Sequence, residues 1–192
     1  MKKDARQEQI IHKAIEILAA QGIQSLTTKN LAQAVGISEP ALYRHFENKH
    51  AILMGVLDSF EEIACAVLER LEENAPALSN LRTFVFDRYQ RFSLYPALAK
   101  VMFAEAAFDF DQSLANRVLE IMHRHRDVLM DIIKKGQKKN ELRTDIMPKE
   151  LFRLIIGSMR LVIQQWTLSG FRFDLNAEGA ALWEALEKLL QP

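Results

Sequence analysis

A phenol, a guanidinium and an imidazole follow one another at Tyr43, Arg44 and His45, and an ammonium stands just beyond them at Lys49. Side chains of these types donate hydrogen bonds to phosphate oxygens, and a hydrophobic core has no use for such a set. Hydroxyls at Thr27, Thr28 and Ser38 precede them, and Thr27 and Ser38 stand where they can cap helices whose first N–H groups suit an anion. The chemistry on offer is recognition of a polyanion. Bond-making chemistry has no comparable set: there is no Gly-x-Ser-x-Gly elbow, no glycine-rich phosphate loop and no His-Glu-x-x-His. No catalytic residue, cofactor or enzymatic activity is expected. The single cysteine, Cys65, can form neither an internal disulfide nor a Cys-x-x-Cys metal site, and His123 and His125 fall on different faces of a helix, so no metal site is expected either.

Composition sets the frame for these residues. Of 192 residues 49% are hydrophobic and 26% charged, with only 7 Gly and 5 Pro, which excludes disordered and low-complexity classes. No apolar run approaches the ~18 residues of a membrane span, and the charged start, Met1-Lys2-Lys3-Asp4, is unlike a signal peptide, so a cytoplasmic protein is expected. The 25 bases balance the 25 acids, but the first fifty residues carry seven bases (Lys2, Lys3, Arg6, Lys13, Lys29, Arg44, Lys49) against five acids (Asp4, Glu8, Glu16, Glu39, Glu47). That excess is small. What matters is where the bases sit.

The elements that must position them read as helices throughout, roughly nine or ten in number, because strict alternation never persists and Gly and Pro recur every helix or two. The pattern predicts a first helix over about Arg6 to Gln21, stopped by Gly22, with Ile10, Ile11, Ala14, Ile17 and Leu18 on one face. Thr27 caps a short second helix through Ala34, with Leu31, Ala34 and Val35 facing inward, and Ser38 caps a third, with Pro40 in its first turn, ending near Phe46. Asn48 caps a longer helix from Lys49 to about Glu73. Further helices are expected over about 77–93, 97–108, Asp111 to Asn140, Met147-Pro148 to Gly170, and from an Asn176 cap to Leu190.

The two short helices about Val35-Gly36-Ile37 have the pattern of a helix-turn-helix. The turn needs a small residue at Ala32, a glycine able to adopt positive φ at Gly36, and apolar plugs at Ile37 and Leu42. All four residue types are present.

Leu26-Thr27-Thr28-Lys29-Asn30-Leu31-Ala32, then Val35-Gly36-Ile37-Ser38, then Leu42-Tyr43-Arg44-His45-Phe46-Glu47-Asn48-Lys49, within Arg6 to Leu53, resembles the DNA-binding domain of the TetR family of transcriptional regulators. The resemblance implies an all-α fold: a three-helix DNA-binding module over 1–50 and a larger helical ligand-binding and dimerisation domain over 51–192. It implies that Thr27, Thr28, Tyr43, His45 and Lys49 grip the DNA backbone, with Ser38 at the start of the recognition helix. It further implies that Lys29, Glu39, Pro40, Ala41 and Arg44 face the major groove. Lys29 or Arg44 suits guanine, Glu39 a cytosine amino group, and Pro40 or Ala41 a thymine methyl. Glu39 is equally suited to stabilising its own helix N-terminus.

One helix-turn-helix covers half a site, so a palindromic double-stranded operator is expected to meet a homodimer whose recognition helices lie about 34 Å apart. The two C-terminal helices are candidates for the dimer contact. Between Lys149 and Gly170 the apolar residues, among them Leu151, Leu154, Ile155, Met159, Leu161, Trp166 and Leu168, spread over about 240° at 100° per residue, a stripe wide enough to need two partners, its own domain on one side and something else on the other. The final helix adds Leu182, Trp183, Leu186, Leu189 and Leu190. The alternative buries both helices within one subunit.

The family resemblance also implies an effector pocket for an unidentified small molecule, largely apolar. Candidate lining residues are Phe84, Phe92, Met102, Phe103, Met122, His125 and Trp166, with Tyr89 and Phe108 beside them, each also readable as plain core. His125 sits on the stripe Val118, Ile121, Met122, Val128, Leu129, Ile132 and reads as a hydrogen-bonded core histidine or a polar contact to ligand. A ligand favouring one tilt of the helix that starts at Lys49 would weaken operator binding, with couplings of about 1 to 3 kcal/mol. The expected function is a repressor released by that ligand. The alternative is a DNA-binding adaptor on many chromosomal sites that recruits a protein partner, as the nucleoid-occlusion regulators of this family do. A helical interaction protein without a DNA role stands as a third reading.

Overall fold

The computed structural model describes residues 4–102 and 108–192. Among them run nine α-helices: α1 (Ala5–Gln21), α2 (Thr28–Val35), α3 (Glu39–Tyr43), α4 (Lys49–Cys65), α5 (Ala77–Leu94), α6 (Pro96–Met102), α7 (Gln112–Lys138), α8 (Pro148–Leu168) and α9 (Leu175–Leu190). Short 3-10 turns lie at Ile23–Ser25 and Leu68–Arg70, and the described residues contain no strand. The all-α expectation holds. The chain divides into one unit of Met1–Ile63 and Lys100–Glu120 and another of Ala64–Ala99 and Ile121–Pro192.

In the first unit, α1 opens with a capping box. Asp4 accepts from the backbone N–H of Gln7 at 2.7 Å, and the Gln7 side chain accepts from the Asp4 N–H at 3.1 Å. Gly22 ends the helix, as its sequence position predicts. The buried face of α1 is Ile10, Ile11, Ala14 and Leu18, and it packs on α2. Ile17 is only half-buried. Leu26, Leu31, Leu42, Ile52, Leu53 and Val56 complete this core, each 0–1% exposed.

The second unit packs α5 on α9 and α9 on α8. At Gly179 the approach of α9 to α5 is so close that an added Cβ would collide with the ring of Tyr89. Tyr89 is itself 1% exposed, and burial pushes its phenol up to about 12. The Trp183 ring meets Phe86 edge-on, with centroids 6.3 Å apart.

Several element ends differ from the sequence pattern. The third helix closes at Tyr43, and its last turn is completed by Phe46 N–H to Leu42 O at 3.1 Å. Helix α4 stops at Cys65 instead of reaching Glu73, and the Arg88 guanidinium donates to the Ala64 carbonyl of its last turn at 2.7 Å. Asp174, not Asn176, caps α9, accepting from the N–H groups of Asn176 and Ala177. On α2 the buried set is Leu31, Ala32 and Val35, and Ala34 is exposed, since it lies about 200° around the helix from Ala32.

Candidate nucleic-acid interface

Local chemistry shapes the turn between α2 and α3. Thr27 caps α2, its Oγ1 accepting from Asn30 N–H at 3.1 Å, and Gly36 ends it in the left-handed region at φ 76°. Ile37 N–H then closes on Ala32 O at 3.0 Å. Ser38 caps α3 through Ala41 N–H at 3.3 Å, and Pro40 falls in the first turn, where a missing N–H costs nothing. Leu42, fully buried, anchors α3 from below, and Ile37 is half-buried beside it. The plugs and the turn glycine occupy the positions their types require.

This scaffold brings the expected polar residues together in the first unit. Thr27, Lys29, Ser38, Pro40, Tyr43 and Arg44 are exposed, Tyr43 at 49%. Thr28, Glu39, Ala41, His45 and Lys49 are half-buried, and four of these five have defined partners. Thr28 donates its hydroxyl to Glu39 Oε2 at 2.9 Å, which ties the start of α2 to the start of α3. Lys49, in the first turn of α4, donates to the Ile23 carbonyl at 3.2 Å. The His45 Nδ1 lies 3.5 Å from Asp4 Oδ2, and the His45 carbonyl accepts from Gln7 Nε2 at 3.2 Å. Asn48 Oδ1 accepts from Ala51 N–H at 2.8 Å, the cap predicted for α4.

Asp4 and Gln7 were not among the residues expected to position this surface. The Asp-x-x-Gln spacing of a capping box was legible, but the reach of both residues to His45 is a tertiary contact. The backbone N–H of Gln7, then the nearby His45, hold the Asp4 carboxyl below its ordinary range. A second cluster in the same unit binds α4 to the start of α7. Arg117 donates from Nη2 to Asp58 Oδ1 at 2.8 Å, from Nη1 to Glu120 at 3.2 Å, and also to Glu61. His50 Nε2 lies 2.6 Å from Ser113 Oγ.

The effector-pocket candidates fall in different places. Phe84, Phe92 and Trp166 are buried in the second unit, and the Trp166 N–H donates to Phe173 O at 3.0 Å. His125 is half-buried there, with Nδ1 2.7 Å from the Ile121 carbonyl and its ring 6.1 Å from Phe84. Met122 points outward at 45% exposure, in contrast to the buried Ile121, Leu129, Ile133 and Gly136 of the same helix. Met102 is half-buried in the first unit, and Phe103 lies outside the described residues. Tyr89 and Phe108 are buried. A cleft of about 220 Å³ in the second unit is lined by other residues, including Leu71, Asn80, Val128, Ile132 and Lys135. None of the described helices is long and apolar enough to cross a membrane.

Comparison with known proteins agrees with this architecture. Residues 10–55 match the family described as bacterial regulatory proteins, tetR family, and residues 58–189 match the C-terminal region of YsiA-like proteins. The nucleoid occlusion factor SlmA of Vibrio vulnificus (strain YJ016) is 26% identical over 187 residues, covering 96% of this chain and 95% of that protein. The fatty acid degradation regulator FadR from Bacillus halodurans superposes with a TM-score of 0.85 at 18% identity, covering 97% of each chain. The transcriptional regulator FadR from Bacillus subtilis, in complex with stearoyl-CoA, superposes with a TM-score of 0.82 at 21% identity, covering 93% of this chain and 96% of that one. With both family matches in place over a helix-turn-helix whose polar residues are presented outward, the chain belongs to the TetR family of dimerising, DNA-binding transcriptional regulators, which are not enzymes.

Proposed function

We propose that the protein is a cytoplasmic repressor that grips a palindromic operator as a homodimer and is released by a small, largely apolar effector. The observation that carries this reading is the presentation of Lys29, Tyr43 and Arg44 on a helix-turn-helix anchored by the fully buried Leu42. In it, residues 1–50 contact DNA and residues 51–192 dimerise and hold the effector. Thr27, Thr28, Ser38, Tyr43, His45 and Lys49 fix register on the phosphates, and Lys29, Glu39, Pro40, Ala41 and Arg44 face the base edges. Glu39 accepts from a cytosine amino group through the oxygen that its Thr28 hydrogen bond leaves open.

The dimer contact assigned to α8 and α9 draws support from the exposed leucines on them. Leu154, Leu161 and Leu168 are 48%, 54% and 79% exposed, and Leu189 on α9 is 57% exposed. The three on α8 recur every seven residues, the spacing of a helix-packing seam. Gly157, on the same side, leaves open space for a neighbouring backbone. The stearoyl chain of the acyl-CoA bound by the Bacillus subtilis regulator supports an effector with a long apolar part for this chain. Selection of bound sequences from a random duplex pool tests the reading. A two-fold symmetric consensus with half-sites one helical turn apart is expected, and recovery of no enriched sequence defeats it.

The likeness to nucleoid occlusion factors along 96% of the chain favours a second reading, an adaptor bound at many chromosomal sites that recruits a protein partner. Mapping of occupied sites across the genome separates the two, a few promoters for the repressor and many dispersed sites for the adaptor.

A further inference from the structure

Arg88, in the middle of α5, is 4% exposed, and its surroundings in the second unit leave its guanidinium incompletely satisfied. Nη2 donates to the Ala64 carbonyl at 2.7 Å, and the guanidinium carbon lies 5.0 Å from the centroid of the Phe84 ring. Nε is buried and has no hydrogen-bond partner among the described residues. The adjacent carboxylate, Asp87, is already engaged. Arg70 Nη1 donates to its Oδ1 at 2.8 Å and Arg91 Nε to its Oδ2 at 2.9 Å, which leaves Arg88 Nη2 at 3.8 Å. Three guanidiniums share one carboxylate beside an aromatic ring. Burial, opposed by Asp87, pulls Arg88 down to about 10. A buried donor left unmade and a surplus of cationic charge are both costs that an incoming anion would remove.

We propose that Arg88 is the anion-binding residue of the effector site, and that the effector is an amphiphile whose carboxylate or phosphate head accepts the unused Nε–H while its alkyl chain lies against apolar neighbours such as Phe84. This rests on the effector-controlled reading above and adds the chemistry of the head group. The Ala64 carbonyl held by Nη2 belongs to the last turn of α4, a helix that begins at Lys49, so the head group and this helix end share one guanidinium.

The test titrates the full-length protein with dodecanoate, dodecyl phosphate and dodecanol, each below its micelle-forming concentration, by calorimetry and by release of operator DNA. At least one of the two anions is expected to bind about tenfold or more tighter than the alcohol, the scale of a charge-assisted hydrogen bond, and the tighter anion identifies the head group. Arg88→Gln, which keeps a polar amide but removes the charge, is expected to collapse that ratio to about one while the alcohol binds as before. Equal affinity of wild type for all three compounds overturns the proposal and leaves an apolar effector standing. An unchanged ratio in Arg88→Gln likewise overturns it. Failure of all three to bind overturns the proposal together with the apolar-effector reading. Should Arg88→Gln not fold, the wild-type comparison of anion with alcohol still decides, with Arg88→Lys as the second variant.

Discussion

Thr28 donates its hydroxyl hydrogen to Glu39 Oε2 at 2.9 Å, joining the first residue of α2 to the first residue of α3 across the helix-turn-helix turn. A carboxylate so close to where phosphates are expected repels DNA unless a donor holds it, and Thr28 is that donor. Replacing it by valine keeps the shape and removes the bond. Thr28→Val is expected to lower stability by about 0.5 to 1.5 kcal/mol in urea unfolding and to weaken operator binding, whereas Glu39→Gln is expected to raise affinity for unrelated DNA at low salt. A filter-binding or anisotropy titration on operator and scrambled duplexes checks both.

Arg44 and Lys49 should fail differently. Lys49→Ala is expected to weaken all sequences alike and to reduce the slope of log affinity against log salt by roughly one. Arg44→Ala is expected to cost about 1 to 3 kcal/mol at one operator position and to relax the preference there. Equal losses on every operator variant would make Arg44 a phosphate contact.

Two glycines test two distinct constraints. Gly36 has φ 76° with open space around it, so Gly36→Ala carries only backbone strain, about 1 to 2 kcal/mol. At Gly179 the backbone is ordinary but the Tyr89 ring blocks any side chain, so Gly179→Ala should cost about 1 to 3 kcal/mol through overpacking. Adding Tyr89→Leu should recover part of the second loss and none of the first. Thermal unfolding of the single and double variants reads this out.

The Asp4 carboxyl titrates below its ordinary value of 3.8, held down first by the Gln7 N–H and then by His45. A carboxyl with a lowered folded-state value binds fewer protons folded than unfolded. Its contribution is therefore present above the unfolded value and disappears as the pH falls through the folded one. Wild type is expected to exceed Asp4→Asn in stability at neutral pH, with the difference shrinking between pH 3.8 and the lower folded value. Denaturant midpoints of both proteins across that range check it.

Leu161 is 54% exposed in the middle of α8. Leu161→Glu is expected to leave the helix content unchanged and to convert dimer to monomer in sedimentation. Operator affinity should fall steeply as the second half-site is lost. A dimer that survives this charge would move the contact off α8.

How much the sequence determined differs between the site and its supports. The helix-turn-helix was legible because its signals are local: caps at Thr27 and Ser38, a positive-φ glycine at Gly36 and a buried plug at Leu42 are each set by neighbours within a few residues. The exposed side chains Lys29, Tyr43 and Arg44 follow from the same periodicity. Tertiary structure alone decided what bonds lie between distant segments. The tie of Lys49 to Ile23, the reach of Asp4 and Gln7 to His45, and the shared hold of Arg117 on Asp58, Glu61 and Glu120 join residues that sequence spacing does not relate. So does the early end of α4. Its apolar pattern runs on toward Glu73, yet the helix closes at Cys65, where a guanidinium from α5 donates to the Ala64 carbonyl. Helical periodicity encodes which face is buried, but the partners that last-turn carbonyls find on another element are invisible in that periodicity.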